Sequence, residues 1–126
     1  MTNAYIDTSA LVAIATNEPA GPAVAERLAG FDRLVSGTIL EAELRSVFAR
    51  QGRPFEPDVI SRIHWILPRR PLGPEFDVAL NAGFLRPGDL LHVATALYAT
   101  AEFDRITFIT LDRRQGEVAA ALGFRT

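Results

Sequence analysis

The chain has 126 residues, 48% of them hydrophobic and 22% charged, without cysteine, which fits one compact domain, is too short for two, and excludes disulfides and thiolate metal sites. All 13 basic residues are Arg, and against 15 acids they leave a formal charge of −2, which excludes a uniformly basic surface for nucleic acid but not a local one. The longest apolar run near the amino terminus, residues 10–15, is far short of the roughly 20 that a membrane span needs, and Asp7 stands where a signal peptide carries positive charge, so a cytoplasmic protein with no membrane attachment is expected.

Residues 3–6 are β-prone, and 8–15 read as a helix stopped at Asn17-Glu18-Pro19, with Asp7 in the turn between them. Residues 20–28 suit a second helix ending at Gly30, and 33–36 a second strand before Gly37. Over 38–50, Leu40, Leu44, Val47 and Phe48 fall on one helical face, and Gln51-Gly52-Arg53-Pro54 ends that helix. Residues 57–67 are expected to form another helix with Ile60, Ile63, Ile66 and Leu67 inside, broken by Pro68, Pro71, Gly73 and Pro74 around a short extended piece. Pro74 then opens a helix to about residue 81 as its first residue. A loop with Gly83 and Pro87-Gly88 precedes a long apolar helix over 89–101, a strand over 105–110, and a last helix over about 113–122 closed by Gly123. Strands alternating with helices predict an α/β domain whose mainly parallel sheet is covered on both faces.

The chemistry depends on where the acids fall. Asp7 follows the first strand and Asp112 the last, so both lie at carboxyl ends of strands, where open α/β sheets bind ligands. Asp89 heads a helix, yet each of these three precedes a helix, where Asp is a favoured N-cap. On the third helix Glu41 and Glu43 flank the apolar stripe at similar angles, and the helical wheel does not choose between them. His92 shares a helix face with Asp89, but its apolar neighbours Leu91, Val93 and Ala94 make a packed or hydrogen-bonded histidine a simpler reading than a metal ligand. His64, beside Trp65, has less claim. The pairs Arg69-Arg70 and Arg113-Arg114 are either solvated surface or, since Arg suits phosphate, ligand contacts.

Four strings taken together resemble the motifs of PIN-domain ribonucleases, in particular the VapC-type toxins of bacterial toxin–antitoxin pairs. Tyr5-Ile6-Asp7-Thr8-Ser9-Ala10-Leu11-Val12 is similar to the family's opening. Ser36-Gly37-Thr38-Ile39-Leu40-Glu41-Ala42-Glu43-Leu44-Arg45 is similar to its second motif, whose functional acid precedes the apolar residue and Arg, which selects Glu43. Leu85-Arg86-Pro87-Gly88-Asp89-Leu90-Leu91-His92-Val93-Ala94-Thr95-Ala96-Leu97 resembles the third motif. Phe108-Ile109-Thr110-Leu111-Asp112-Arg113-Arg114, closing with Ala121-Leu122-Gly123-Phe124, resembles the fourth. The likeness spans nearly the whole chain in order. It implies a PIN-like three-layer α/β fold, and one catalytic cluster of Asp7, Glu43, Asp89 and Asp112 that binds Mg²⁺ or Mn²⁺, as one or two ions. Just after Asp112, where some relatives have a further acid, this chain has Arg113 and Arg114.

Four carboxylates held together repel one another, and the arrangement becomes favourable only when divalent cations neutralise them. Oxygen-only ligands favour hard cations, and two ions about 4 Å apart would move the formal charge from −2 to about +2, so that a polyanion can approach. The activity implied is endoribonucleolytic, a metal-activated water attacking the phosphorus in line. Ser9 and Thr110 either orient a water or phosphate or make turn and cap hydrogen bonds. Arg86, Arg113 and Arg114 are candidates for gripping the RNA backbone.

Two other classes fall away: a phosphoacceptor receiver domain, of similar length and layout, needs a Lys near the last strand, and a phosphatase of the haloacid dehalogenase type needs a second Asp where Ser9 stands. The alternative of another class is a non-catalytic PIN-like scaffold that binds RNA or protein. The resemblance also implies a homodimer and a cognate antitoxin that inserts an Arg among the acids. Leu11, Val12 and Leu28 are either part of such interfaces or core, and the RNA target stays open.

Overall fold

A computed structural model describes residues 1–126. In chain order it contains β1 (Asn3–Ile6), α1 (Thr8–Ala15), α2 (Gly21–Ala29), β2 (Arg33–Gly37), α3 (Ile39–Arg50), a 3₁₀ turn (Pro57–Ile60), β3 (Ile63–Ile66), α4 (Gly73–Ala82), α5 (Pro87–Ala99), β4 (Ile106–Ile109) and α6 (Arg113–Ala121). Several ends are set by local chemistry. Asp7 and Asp112 each accept a backbone N–H of the first turn of the helix that follows, and Pro22, Pro74 and Pro87 occupy opening positions where a missing N–H costs nothing. At Gly21 a Cβ would lie 2.5 Å from the carbonyl oxygen of Ala13, so glycine permits the close packing of α2 on α1.

The four strands are all parallel and ordered β3-β2-β1-β4, with Asn3 opposite both Arg33 and Ile106, and Leu34 opposite Ile63. Side-chain alternation sorts the strands into two apolar cores. Ala4, Ile6, Leu34, Ile63 and Ile109 meet residues of α1, α2 and α3, among them Leu11, Val24, Leu28, Leu44 and Phe48. Tyr5, Val35, Ile66, Ile106 and Phe108 meet Ala79 of α4, Val93 and Ala96 of α5, and Val118 of α6. The expected three layers are present, with the helices divided between the two faces by chain order. No helix is long and apolar enough to cross a membrane.

The helix expected over 57–67 is not formed. A single 3₁₀ turn is followed by β3, a strand at the sheet edge paired with β2, in which Ile63 and Ile66 are buried against opposite cores while His64 is exposed. The spacing of three between Ile60, Ile63 and Ile66 reads as helical, but over so short a run the period is ambiguous, and pairing with β2 decides it. Leu67, placed inside by that reading, is 67% exposed. At the next helices, α4 begins at Gly73 and α5 at Pro87. Leu11 and Leu28 belong to the core and Val12 packs partly buried against it, so the first two are not surface residues for a partner.

Candidate active site

The chain leaves β1 toward β2 on one side and returns as β4 on the other, so the carboxyl ends of β1 and β4 bound a crevice of the kind that binds ligands in open α/β sheets. Asp7 lies there, 2% exposed, its N–H continuing the ladder to the carbonyl of Ile109 at 3.1 Å. Ser9 donates its hydroxyl to both carboxylate oxygens at 2.8 and 3.0 Å, Ala10 donates its N–H at 3.1 Å, and the Thr110 hydroxyl donates to Oδ2. The two hydroxyls also accept, Ser9 from the N–H of Leu111 at 3.0 Å and Thr110 from that of Asp112 at 2.9 Å. They therefore fasten the turn after β4 to Asp7, and the readings of Ser9 and Thr110 as turn-holding residues are met here. Burial pushes the Asp7 carboxyl up, and the bonds from Thr110, Ala10 and Ser9 pull the other way.

On α3 the two glutamates separate by their partners and not by exposure, which is 34% for the Glu41 side chain and 38% for that of Glu43. Glu41 pairs along its own helix with Arg45 at 2.7 Å. Glu43 turns toward α1 and α5, and its Oε1 accepts the Thr8 hydroxyl at 2.7 Å and stands 3.0 Å from Nε2 of His92. The His92 hydrogen bond, and then that of Thr8, hold its carboxyl below the usual range. His92 is 1% exposed and hydrogen-bonded at both ring nitrogens, as its apolar surroundings predict.

Asp89 departs from its expected place. It is the third residue of α5, and the N-cap is Arg86, whose side chain makes no capping bond. Freed from capping, Asp89 shares an open cleft of about 340 Å³ with Asp112, lined also by Phe84, Leu85, Arg86 and Arg114. Its carboxyl is pushed up by burial and further by the negative charges of Asp112 and Glu43, with no hydrogen bond to relieve it. Asp112 uses Oδ1 to accept the N–H of Gln115 at 2.8 Å. Fully buried Gln115 also donates its side-chain amide to the carbonyl of Asp89 at 3.3 Å, joining α6 to the first turn of α5.

Asp89 thus feels the charges of two of the other expected acids, Asp112 and Glu43, and Thr110 ties Asp7 to the turn that carries Asp112. As placed, no three acidic or histidine side chains stand close enough together to share an ion. The donor set is nevertheless that of a hard divalent cation: oxygen-only, anionic, mutually repelling, with Oε2 of Glu43, Oδ2 of Asp112 and both oxygens of Asp89 unclaimed by protein donors. A larger cavity of about 420 Å³ lies at the amino ends of the strands, but it sets Glu102 and Asp104 against Arg33 and Arg105 and gathers no such excess of acid.

Of the candidate cations, Arg86 and Arg114 line the cleft, and Arg114 is anchored by its Nε to the carbonyl of Phe84 at 3.1 Å. Arg113 pairs with Glu117 at 3.0 Å, its side chain 93% exposed, and does not line the cleft. Arg70 is taken by a two-pronged pair with Glu75 at 2.8 and 2.7 Å. Sequence reasoning did not single out Thr8, Tyr5, Gln115 or Phe84 for the site. Phe84, 68% exposed at the cleft, had one available signal, an aromatic set between Gly83 and Pro87 in a loop.

The family model described as PIN domain matches residues 4–121 of the chain. Among curated proteins no significant match is found.

Proposed function

The chain belongs to the PIN-domain family, whose members are generally nucleases, and on that premise we propose that it is an Mg²⁺- or Mn²⁺-dependent endoribonuclease acting as the toxin of a toxin–antitoxin pair. The observation that carries this reading is Asp89, a carboxylate without a hydrogen-bond donor, raised by burial and further by Asp112 and Glu43, beside an open cleft with two arginines. Such a group is costly in the free protein and becomes favourable when a cation joins it.

Asp7, Glu43, Asp89 and Asp112 are the residues that would hold the ion, the orientation of Asp7 being set by Ser9, Thr110 and Ala10. When bound, the ion supplies Lewis acidity, offsetting the negative charge of carboxylates and phosphate and making water a stronger nucleophile. The chain's own groups favour hydrolysis over covalent catalysis. It has no cysteine, the hydroxyls of Thr8, Ser9 and Thr110 are donated to carboxylates, and His92 is closed off in the core. Arg86 and Arg114 bind phosphate at the rim of the cleft, and the exposed ring of Phe84 offers a face for an unpaired base. A cognate antitoxin that silences this centre would present a guanidinium to the same carboxylates, and the active form is expected to be a homodimer.

The test is cleavage of total cellular RNA by antitoxin-free protein with Mg²⁺ or Mn²⁺, against EDTA and folded Asp7→Asn and Asp89→Asn variants. Discrete fragments lost in all three controls are expected. A folded wild type that cuts nothing and binds no divalent ion would replace the enzyme by a non-catalytic PIN-like scaffold.

A further inference from the structure

The nuclease reading gives the buried imidazole of His92 no task, although it touches a candidate ligand. Its Nδ1 lies 2.9 Å from the Tyr5 hydroxyl, and its Nε2 lies 2.9 Å from Oγ1 of Thr8 and 3.0 Å from Oε1 of Glu43. Tyr5 is itself immobilised, stacked on Phe108 with a ring separation of 5.2 Å and set edge-on to His92 at 5.8 Å. The phenol oxygen accepts the N–H of Gly37 at 3.2 Å and keeps its own proton to donate, and the Glu43 carboxylate at Nε2 can only accept, so the phenol proton goes to Nδ1. Nδ1 is then an acceptor, and the ring proton resides on Nε2, where Glu43 receives it. The opposite tautomer would place a nitrogen lone pair 3.0 Å from a carboxylate oxygen, exchanging a hydrogen bond for repulsion.

We propose that Tyr5 and His92 form a positioning pair for the candidate cation site: Tyr5 holds His92 as its Nε2–H tautomer, and His92 with Thr8 occupies Oε1 of Glu43 so that Oε2 alone is presented to the cation. Thr8 donates to the same Oε1 at 2.7 Å, which gives that oxygen two donors and the other none. Oε2 faces Gly88, where an added Cβ would lie 3.1 Å from it, so glycine at this position keeps the free oxygen uncovered. A carboxylate pinned at one oxygen by two donors is oriented before any cation arrives and does not chelate with both oxygens. The three residues come from β1, α5 and α3, and the pair thereby carries the fixed position of the sheet to an acid on a surface helix. The inference rests on the nuclease reading only for what the cation is used for.

The chain has two histidines, so an imidazole ¹⁵N NMR spectrum of the metal-free wild type, assigned with His64→Gln, reads the tautomer of His92 directly. A proton on Nε2 and a bare Nδ1 are expected; a proton on Nδ1, alone or together with Nε2, overturns the proposal. The second measurement is the affinity for Mn²⁺ alone, by calorimetry. Folded His92→Leu should bind about 10- to 100-fold more weakly, as loss of an outer hydrogen bond to a ligand does elsewhere. His92→Gln, whose amide donates from a similar reach, should recover most of that loss. Unchanged affinity in His92→Leu, or an equal loss in both variants, overturns the positioning role. Neither measurement uses RNA. If both come out as expected and no RNA is cut, the pair stands and the nuclease reading fails; if RNA is cut and His92→Leu binds Mn²⁺ as the wild type does, the nuclease stands and the pair fails.

Discussion

At the edge between β1 and β4, Asp7 is almost wholly buried and accepts from Ser9, Thr110 and Ala10, whereas in the first turn of α5 Asp89 is more open and accepts from nothing. Burial raises both carboxyls, but donors oppose the rise at Asp7 while Asp112 and Glu43 reinforce it at Asp89. The two residues show different ways of keeping an acid in a fold. A carboxylate given protein donors becomes part of the structure, and its removal is felt as lost stability. On the proposed function, one set among like charges is unfavourable when ionised until a cation joins it, so its removal is expected to be felt as lost binding and activity.

The sharpest way to break this contrast is Asp89→Asn. RNA cleavage should fall by at least about 100-fold, since losing a ligand should exceed the loss of an outer hydrogen bond. The melting temperature of the metal-free protein should meanwhile stay level or rise, because one of three repelling charges is gone. A large loss of metal-free stability would show that Asp89 is structural after all. Second in size is the effect of the ion. At a concentration 100 times its dissociation constant it should stabilise the wild type by about 2.7 kcal/mol, read as a shift in chemical denaturation, and Asp89→Asn should show little of that gain.

Asp7→Ala should behave in the reverse sense, losing about 1–2 kcal/mol without metal, because it removes the cap of α1 and strands the hydroxyls of Ser9 and Thr110. Denaturation of the metal-free variant checks it, and unaltered stability would put Asp7 in the same class as Asp89. The smallest effect is in pH. The folded-state carboxyl of Asp89 is raised above its ordinary 3.8, so the stability it contributes is fully present below that value and lost as pH rises through the folded value. Glu43 is lowered below 4.5, so its contribution is present above that value and lost as pH falls through the folded one. Metal-free Asp89→Asn should therefore gain on the wild type as pH rises, and Glu43→Gln should lose on it. Parallel profiles for the two variants would remove the distinction.

Much of the fold is legible in local pattern. β1, β2, β4 and the helices α1, α3 and α6 lie within a residue or two of where alternation, apolar stripes, Asp caps and Pro or Gly stops place them. β3 was hidden because Ile63 and Ile66 carry a spacing that suits a helix as well as a strand, and no residue nearby says that β2 still lacks a neighbour. The candidate acids are legible for a similar reason to the strands. Asp7 and Asp112 stand at strand ends, and the motif order picks out Asp89 and Glu43, although the helical wheel left Glu43 level with Glu41.

What each acid does is another matter. Asp89 reads as a cap, yet α5 begins two residues earlier and leaves it to the cleft. Glu43 and Glu41 differ only in what lies across from them, His92 and Thr8 for one and Arg45 for the other. Propensity, period and capping are written into neighbouring residues, so element types and the identity of the acids follow from the chain read in order. Hydrogen bonds and charges between β1, α3, α5 and the turn after β4 join positions up to about a hundred residues apart, and it is these that settle which carboxylate is held by donors and which is left free for a ligand.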